Sequence, residues 1–254
     1  MIERLKQHKL ILIIFIIGII LIVTGTTYKS VIITYDAKGN ELFKSYLSNT
    51  IAVDACVSPD NAELAYAEVN NSGTTIQSNI KIISIKEAKE KNTEPKYTYN
   101  ANQNSLILRI KYQEKSQLIC MYDDSIHKFE EGVDVELTKL DEDNPKINFA
   151  DIELTNYIFK AYEKSTSLFN ADTIIEMQNT SNGKENIYTI EKVAKSVVTY
   201  NNVIGVNLGN EIYFIDTNAW LIKRYYSSQV IEKIVLGGGI AGVIYGDKIE
   251  IINL

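Results

Sequence analysis

Hydrophobic and polar positions along the chain follow two regimes that change near residue 29. From Leu10 to Val23 every position is apolar apart from Gly18, and no charge occurs between Leu10 and Tyr28. Nineteen such residues make about 28 Å of helix at about 1.5 Å per residue, enough to cross a bilayer core. Apolar side chains would lie all round that helix, which excludes an amphipathic helix resting on a surface. After Ser30 the pattern becomes short runs rich in Ile, Val and Tyr, separated by Asn, Asp, Gly and Ser, the signature of strands and turns. Strands are predicted at Val31–Tyr35, Glu41–Leu47, Ile51–Val57, Glu63–Val69, Ile80–Ile85, Ser105–Tyr112 and Gln117–Tyr122, and again at Glu211–Asp216, Leu221–Tyr226, Val230–Leu236 and Lys248–Ile252. The best helical stripe beyond the apolar segment is Ile85–Lys91, which runs into Asn92 and Pro95. The second regime reads as all-β.

Short strands at even spacing fit a sandwich, a barrel or a propeller, and self-similarity decides among them. Ile32-Ile33-Thr34-Tyr35-Asp36, followed by Gly39, Leu42, Lys44 and Tyr46, returns as Ile212-Tyr213-Phe214-Ile215-Asp216, followed by Ala219, Ile222, Arg224 and Tyr226. The offset is 180 residues at every matched position. Similar strands near Ile82, Ile126, Ile174 and Ile251 set a repeat of roughly 37 to 49 residues, the size of a propeller blade. Within one unit an inner strand, a turn at Ser58-Pro59-Asp60-Asn61, two further strands and an outer strand near Lys96–Tyr99 follow in order, as in a four-stranded blade.

Ser58-Pro59-Asp60-Asn61-Ala62-Glu63-Leu64-Ala65 resembles the S-P-D-G-x-x-L-A turn of WD40-like and TolB-like propellers. Tyr35-Asp36-Ala37-Lys38-Gly39-Asn40-Glu41-Leu42 resembles the outer hairpin of quinoprotein-like repeats. An amino-terminal anchor followed closely by a small propeller is similar to a Firmicutes family of single-pass membrane proteins that carry a domain of unknown function. That resemblance covers nearly the whole chain and implies no catalytic motif. Asn61 stands where the propeller turn has glycine, and no unit has the Gly-His or Trp-Asp pair of WD40 blades.

Inner strands near residues 51, 105, 147, 196 and 230 give five units. Closure across the termini, with Glu41–Leu47 completing the last blade, would remove an exposed edge. Five blades are favoured; Val31–Tyr35 is then surplus, which leaves an incomplete sixth blade open. The organisation expected is a tail over residues 1–9, a transmembrane helix over 10–28 and a propeller over 30–254.

Charge sets the orientation. Arg4, Lys6 and Lys9 precede the apolar segment with only Glu3 against them, which places the amino terminus in the cytoplasm and the propeller outside it. The chain has 26 basic and 32 acidic residues, and four of the former but one of the latter lie before Ser30, so the propeller carries a net charge near −9. An anionic domain is a poor fit to nucleic acid, and to acidic lipid. A cleaved signal peptide is the rival reading of the apolar run, with a poor small-x-small site around Thr24-Gly25-Thr26-Thr27.

Several patterns suggest chemistry without completing it. Gly237, Gly239 and Gly242 match G-x-G-x-x-G, but the twelve residues that follow leave no room for a dinucleotide-binding crossover, so no cofactor is expected. Cys56 and Cys120 are read as buried thiols, with a disulfide conceivable on the oxidising side of a membrane. His127 has no second histidine in the propeller to share a metal and no serine in an elbow motif, so no metal site is expected. Asp141-Glu142-Asp143-Asn144, with Asp134 and Glu136, is acidic enough for Ca²⁺ but matches no defined loop, and a solvated connection is favoured. Trp220, Tyr225 and Tyr226 fit either a contact face or ordinary packing.

Inner strands line a propeller's channel, where charge is costly unless paired or used. Asp54, Arg109, Asp151 and Glu232 interrupt otherwise apolar inner strands and are the candidate ligand-binding residues, against a purely structural reading. The function expected is a membrane-anchored, extracytoplasmic binding or scaffold module for an envelope protein or glycan, without catalysis. The alternative is an envelope enzyme such as a glycan hydrolase, with Asp54, Asp151 and Glu232 as axial carboxylates. Oligomeric state is not legible in the sequence.

Overall fold

The computed structural model describes residues 28–70, 75–89, 94–113, 116–140 and 146–254. The predicted membrane helix and the acidic run 141–144 lie outside them, apart from Tyr28. Among the described residues no helix is long and apolar enough to cross a membrane.

The all-β expectation holds: the described residues form antiparallel strands and one short helix, α1 (Ile85–Lys89). A two-stranded sheet comes first, β1 (Ser30–Tyr35) and β2 (Glu41–Leu47). Four sheets follow with four strands each, in simple up-and-down order. They are β3 (Ile51–Val57), β4 (Glu63–Asn70), β5 (Gln77–Ser84) and β6 (Tyr97–Asn100), then β7 (Ile107–Tyr112), β8 (Leu118–Tyr122), β9 (Ser125–Glu130) and β10 (Val133–Lys139). The next are β11 (Ile147–Asp151), β12 (Tyr157–Ser165), β13 (Ala171–Asn179) and β14 (Glu185–Ile190), then β15 (Ser196–Tyr200), β16 (Val203–Asn207), β17 (Glu211–Asp216) and β18 (Leu221–Tyr226). The last sheet has three strands, β19 (Lys233–Gly237), β20 (Ile240–Ile244) and β21 (Ile249–Asn253).

Two expectations are corrected here. Glu41–Leu47 does not complete the last blade: it is the ladder partner of β1, from Ser30 opposite Leu47 to Tyr35 opposite Glu41. The reason is local, because Asp36 accepts from the N–H groups of Lys38 and Asn40 at 2.8 and 2.9 Å and Gly39 takes φ +83°, which fixes a tight hairpin. The strand predicted from Val230 begins only at Lys233, because Ile231 is first held to the preceding sheet's turn through Gly209 O (2.6 Å) and Asn207 Nδ2 (3.1 Å).

Packing separates the chain into two compact units, residues up to Asp123 with Phe129–Asp134, and Asp124–Lys128 with Val135–Leu254. In the first, Ala65, Ala67, Ile80, Ile107, Leu118 and Phe129 make one core, and Ile32, Phe43, Leu64 and Ile83 another. In the second, Leu154, Phe159, Ile175, Met177, Ile204 and Ile215 form one core, while Phe214, Ile234, Ala241 and Val243 form the other. The small residues Ala65, Ala67, Ala161, Gly205 and Ala241 occupy second strands and are buried; a Cβ on Gly205 would lie 3.2 Å from Val198 of its own sheet and 3.6 Å from Ile234 of the next.

The S-P-D-N turn forms as its residues imply. Ser58 Oγ donates to Asp60 Oδ1 (2.7 Å) and accepts from the N–H groups of Ala62 and Glu63 (3.1 and 2.9 Å). Asn61 takes φ +60°, which asparagine tolerates better than most residues, so it substitutes for glycine.

Candidate functional site

Three of the four candidate residues sit on first strands; Glu232 does not, against the expectation, because the first strand of the last sheet begins only at Lys233. Asp54 on β3 and Arg109 on β7 belong to the first unit, Asp151 on β11 and Glu232 to the second. A register shift precedes each of Asp54 and Arg109, between Ala52 and Asp54 and between Ile107 and Arg109, and such bulges re-aim the side chains beside them. The Asp54 carboxylate accepts from Ala55 N–H at 2.8 Å and, across to the next first strand, from Ile110 N–H at 2.9 Å. Asp151 repeats the motif, accepting from Ile152 N–H at 2.8 Å and from Thr199 Oγ1 on β15 at 2.6 Å. Each aspartate thus stitches one first strand to the first strand that follows. Both carboxylate oxygens of each are committed to protein donors. Arg109 is half-buried on β7. Glu232 is exposed and lies ahead of β19, with a carboxylate oxygen 3.3 Å from where a Cβ on Gly246 would stand.

A cavity of about 270 Å³ lies in the first unit, and sequence reading missed it. Its walls are Glu63, Ile82, Lys96, Tyr97, Tyr99 and Glu131, with Ser116 at the rim. Alternation on β6 turns Tyr97 and Tyr99 to one face, with ring centroids 6.2 Å apart. Tyr99 packs on Phe129 at 4.4 Å, and its hydroxyl accepts from Gly132 N–H at 3.0 Å, which pins the β9–β10 turn against β6. That turn runs through Glu131 and Gly132 at φ +49° and +86°, and a Cβ on Gly132 would meet the Tyr97 ring at 3.3 Å.

Glu63 is the polar centre of the cavity. Its carboxylate pairs with Lys96 Nζ at 2.8 Å and accepts from Tyr112 Oη at 3.1 Å, and its side chain is 13% exposed. Lys96 also lies 5.2 Å from the Tyr97 ring centre, and its ammonium is held above the usual lysine range by the hydrogen bond to Glu63. Burial, with the adjacent Glu63 charge, pushes the Tyr112 phenol far up, so it stays protonated and donates. The cavity therefore combines two tyrosine faces, a balanced ion pair and a second carboxylate, Glu131.

Two further charged clusters are tied into protein contacts. Glu211, 2% exposed, is clamped by Lys192 Nζ at 2.6 Å and by Arg224, whose guanidinium lies between the Tyr213 and Tyr226 rings at 4.8 and 4.7 Å. Tyr225 and Tyr245 share a hydrogen bond of 2.6 Å and both reach Glu250, which Lys248 also holds at 2.7 Å. Of the aromatics proposed as a contact face, Trp220 and Tyr226 are exposed, while Tyr225 is tied into this network. Both cysteines are free thiols; Cys120 is buried as expected, with its thiol raised well above the ordinary value by burial, whereas Cys56 is only half-buried. His127 sits on β9, half-buried, with Nε2 at 3.1 Å from Ser125 Oγ and 3.9 Å from Glu136. Gly238 and Gly239 make the β19–β20 turn, and strand β20 rather than a helix follows.

No protein-family model matches this chain, and no curated protein matches it in sequence. Solved structures do match in fold. Hsv2 of Kluyveromyces lactis aligns with a TM-score of 0.57 at 8% identity, over 89% of this chain and 69% of that one. The β-propeller domain of the trilobed protease from Pyrococcus furiosus, described as having an open velcro topology, aligns at 0.55 and 14% identity over 91% and 79%. An oligogalacturonate lyase in complex with manganese aligns at 0.54 and 8% identity, over 77% of this chain and 58% of its own. At such identities the likeness is one of fold, and the fold is that of a β-propeller.

Proposed function

We propose that this protein is a membrane-tethered, extracytoplasmic β-propeller that binds an envelope glycan through the cavity of its first unit. The observation that carries this reading is the chemistry of that cavity. Half-buried Tyr97 and Tyr99 offer flat apolar faces of the kind on which the C–H faces of sugar rings pack, and Glu131 and Lys96 offer an acceptor and a donor for hydroxyls. The Glu63–Lys96 pair compensates itself and Glu131 adds one further carboxylate, which favours a polyhydroxylated ligand over an anion. Binding is preferred over hydrolysis because the hydrolase reading needs two of Asp54, Asp151 and Glu232, and Asp54 and Asp151 each commit both oxygens to protein donors. The apolar run Leu10–Val23 supports the tether, and the basic residues before it support an external propeller. An incomplete sixth blade made by β1–β2, beside five fuller sheets, fits the open topology described for the Pyrococcus domain.

The test is titration of the full chain, in detergent, with soluble fragments of cell-wall glycan, followed by tryptophan-independent calorimetry. Saturable binding that Tyr97→Ala weakens at least about tenfold, the loss of about 1.4 kcal/mol, is the expected result. Absence of saturable binding, or binding indifferent to Tyr97→Ala, overturns the reading, and release of shortened glycan would favour the hydrolase.

A further inference from the structure

Among the described residues the last sheet has three strands. In the four sheets with four strands, the third strand is covered by a fourth, as β17 is by β18; among the described residues β21 has β20 on one side and no ladder partner on the other. The ladder fixes which backbone groups face outward. Tyr245 N–H donates to Lys248 O and Leu254 N–H to Gly239 O, both at 2.9 Å, so by the alternation of an antiparallel pair Lys248, Glu250 and Ile252 spend their backbone groups on β20. Ile249, Ile251 and Asn253 turn theirs away from it. Ile249 and Ile251 are also 64% and 66% exposed, an apolar edge of the kind that natural sheets cover or blunt. Only the far end is blunted, where Lys223 Nζ donates to Asn253 O at 2.6 Å.

We propose that this edge pairs with the same edge of a second copy, antiparallel, with Ile249 opposite Ile249. Five registers set Ile249, Ile251 and Asn253 against one another; the three that use Asn253 as a ladder partner are disfavoured because its carbonyl is already held by Lys223, and charge chooses between the other two. Ile249 opposite Ile251 brings the two Glu250 side chains face to face, about 4.5 Å apart at Cα, which is repulsive. Ile251 opposite Ile251 needs Asn253 as a ladder partner, and its carbonyl is already held by Lys223. Ile249 opposite Ile249 sets Lys248 against Glu250 of the second copy twice, a self-complementary pattern of the kind a two-fold interface requires. The pairing adds to the 2.7 Å contact that Lys248 and Glu250 make within one chain.

The register makes the test sharp. Residue 249 meets its own copy at about 5.5 Å between Cα atoms, within disulfide reach, whereas residue 251 lies more than about 13 Å from its copy. The full chain, in its native membrane, is oxidised as the parent and as Ile249→Cys, Ile251→Cys and the exposed control Ile187→Cys. The expected result is a disulfide-linked pair for I249C, with I251C and I187C at the parent's level. Ile251→Pro added to I249C should abolish the link without changing the circular dichroism, because the N–H it removes is not used by β20. Crosslinking of I251C in place of I249C, of all three alike, or of none overturns the proposal, as does a link that survives I251P.

Discussion

In the hairpin β1–β2 the Asp36 carboxylate accepts from Lys38 and Asn40 N–H at 2.8 and 2.9 Å; in β17–β18, 180 residues later, Asp216 accepts from Asn218 and Trp220 N–H at 2.9 and 2.8 Å. Both strand pairs slip register one step before the turn, at Thr34/Tyr35 and Phe214/Ile215, and both turns place their fourth residue at positive φ, Gly39 at +83° and Ala219 at +63°. Even the cation over an aromatic ring recurs, Lys44 over Tyr46 at 5.0 Å and Arg224 over Tyr226 at 4.7 Å. What differs is the carboxylate. Glu211 stands buried beneath Arg224, whereas the matching position of the first hairpin is Val31. The turn is written locally and survives in a two-stranded sheet, while the ion clamp belongs to the strand that has neighbours on both sides.

Removing the clamp is the largest way to break the comparison. Glu211→Ala strips the acceptor from Lys192 and Arg224, which are exposed enough to regain water, so the expected cost is about 2 kcal/mol rather than that of an orphaned buried charge. Thermal unfolding of the full chain reads it, and Val31→Ala, which breaks no ion pair, should do much less. Acid tests the clamp as well. Burial alone would raise the Glu211 carboxyl, but the hydrogen bonds from Arg224 and Lys192 outweigh it and hold it below its ordinary value. A carboxyl lowered in the folded state contributes stability above its unfolded value of about 4.3, and that contribution is lost as pH falls through the folded value. Stability measured from neutral pH to below 4 should fall less steeply in Glu211→Gln than in the parent.

The two hairpins also show why some of this molecule was legible and some was not. β2, β3, β17 and β18 carry the bounds the residue pattern predicts, because alternation and flanking turn residues act within a few positions. The pairing of β2 was not legible, since Glu41–Leu47 presents the same pattern to any neighbour, and only the Asp36 turn decides for β1. The cavity was legible in part: Tyr97 and Tyr99 stand two apart on a strand, which puts them on one face. Its closure by Glu63 and Glu131 depends on the Lys96 contact and on the pinned turn between β9 and β10, and no spacing along the chain records that. Asp54 and Asp151 were singled out for breaking an apolar run, and the same signal serves a stitch between strands as well as a ligand.

A smaller break is made at the turns themselves. Asp216→Ala removes an acceptor from two backbone N–H groups and should cost about 1 kcal/mol. Asp36→Ala should act in the same direction and by less, because residues 37–40 of its turn are exposed and β1–β2 has no further strands to transmit the loss. Double-mutant comparison of the two by urea unfolding separates the turn's own worth from its setting.

The smallest effect is the exchange of the two residues at positive φ, and it has opposite signs at the two sites. Ala219 carries a Cβ in the left-handed region at a cost of about 1–2 kcal/mol, while glycine there would loosen the unfolded chain by about 0.5–1 kcal/mol. Ala219→Gly should therefore stabilise by about 0.5 kcal/mol, provided the packing of Ala219 against its neighbours contributes little. Gly39→Ala should destabilise by a similar amount, and purely through the backbone, since a Cβ at Gly39 would meet nothing within 4 Å. Equal and opposite shifts in the unfolding midpoint would mean that the two turns are energetically as well as geometrically alike. A gain at 219 smaller than the loss at 39 would measure the contact that Ala219 makes with the core of the second unit, where it packs beside Ile215.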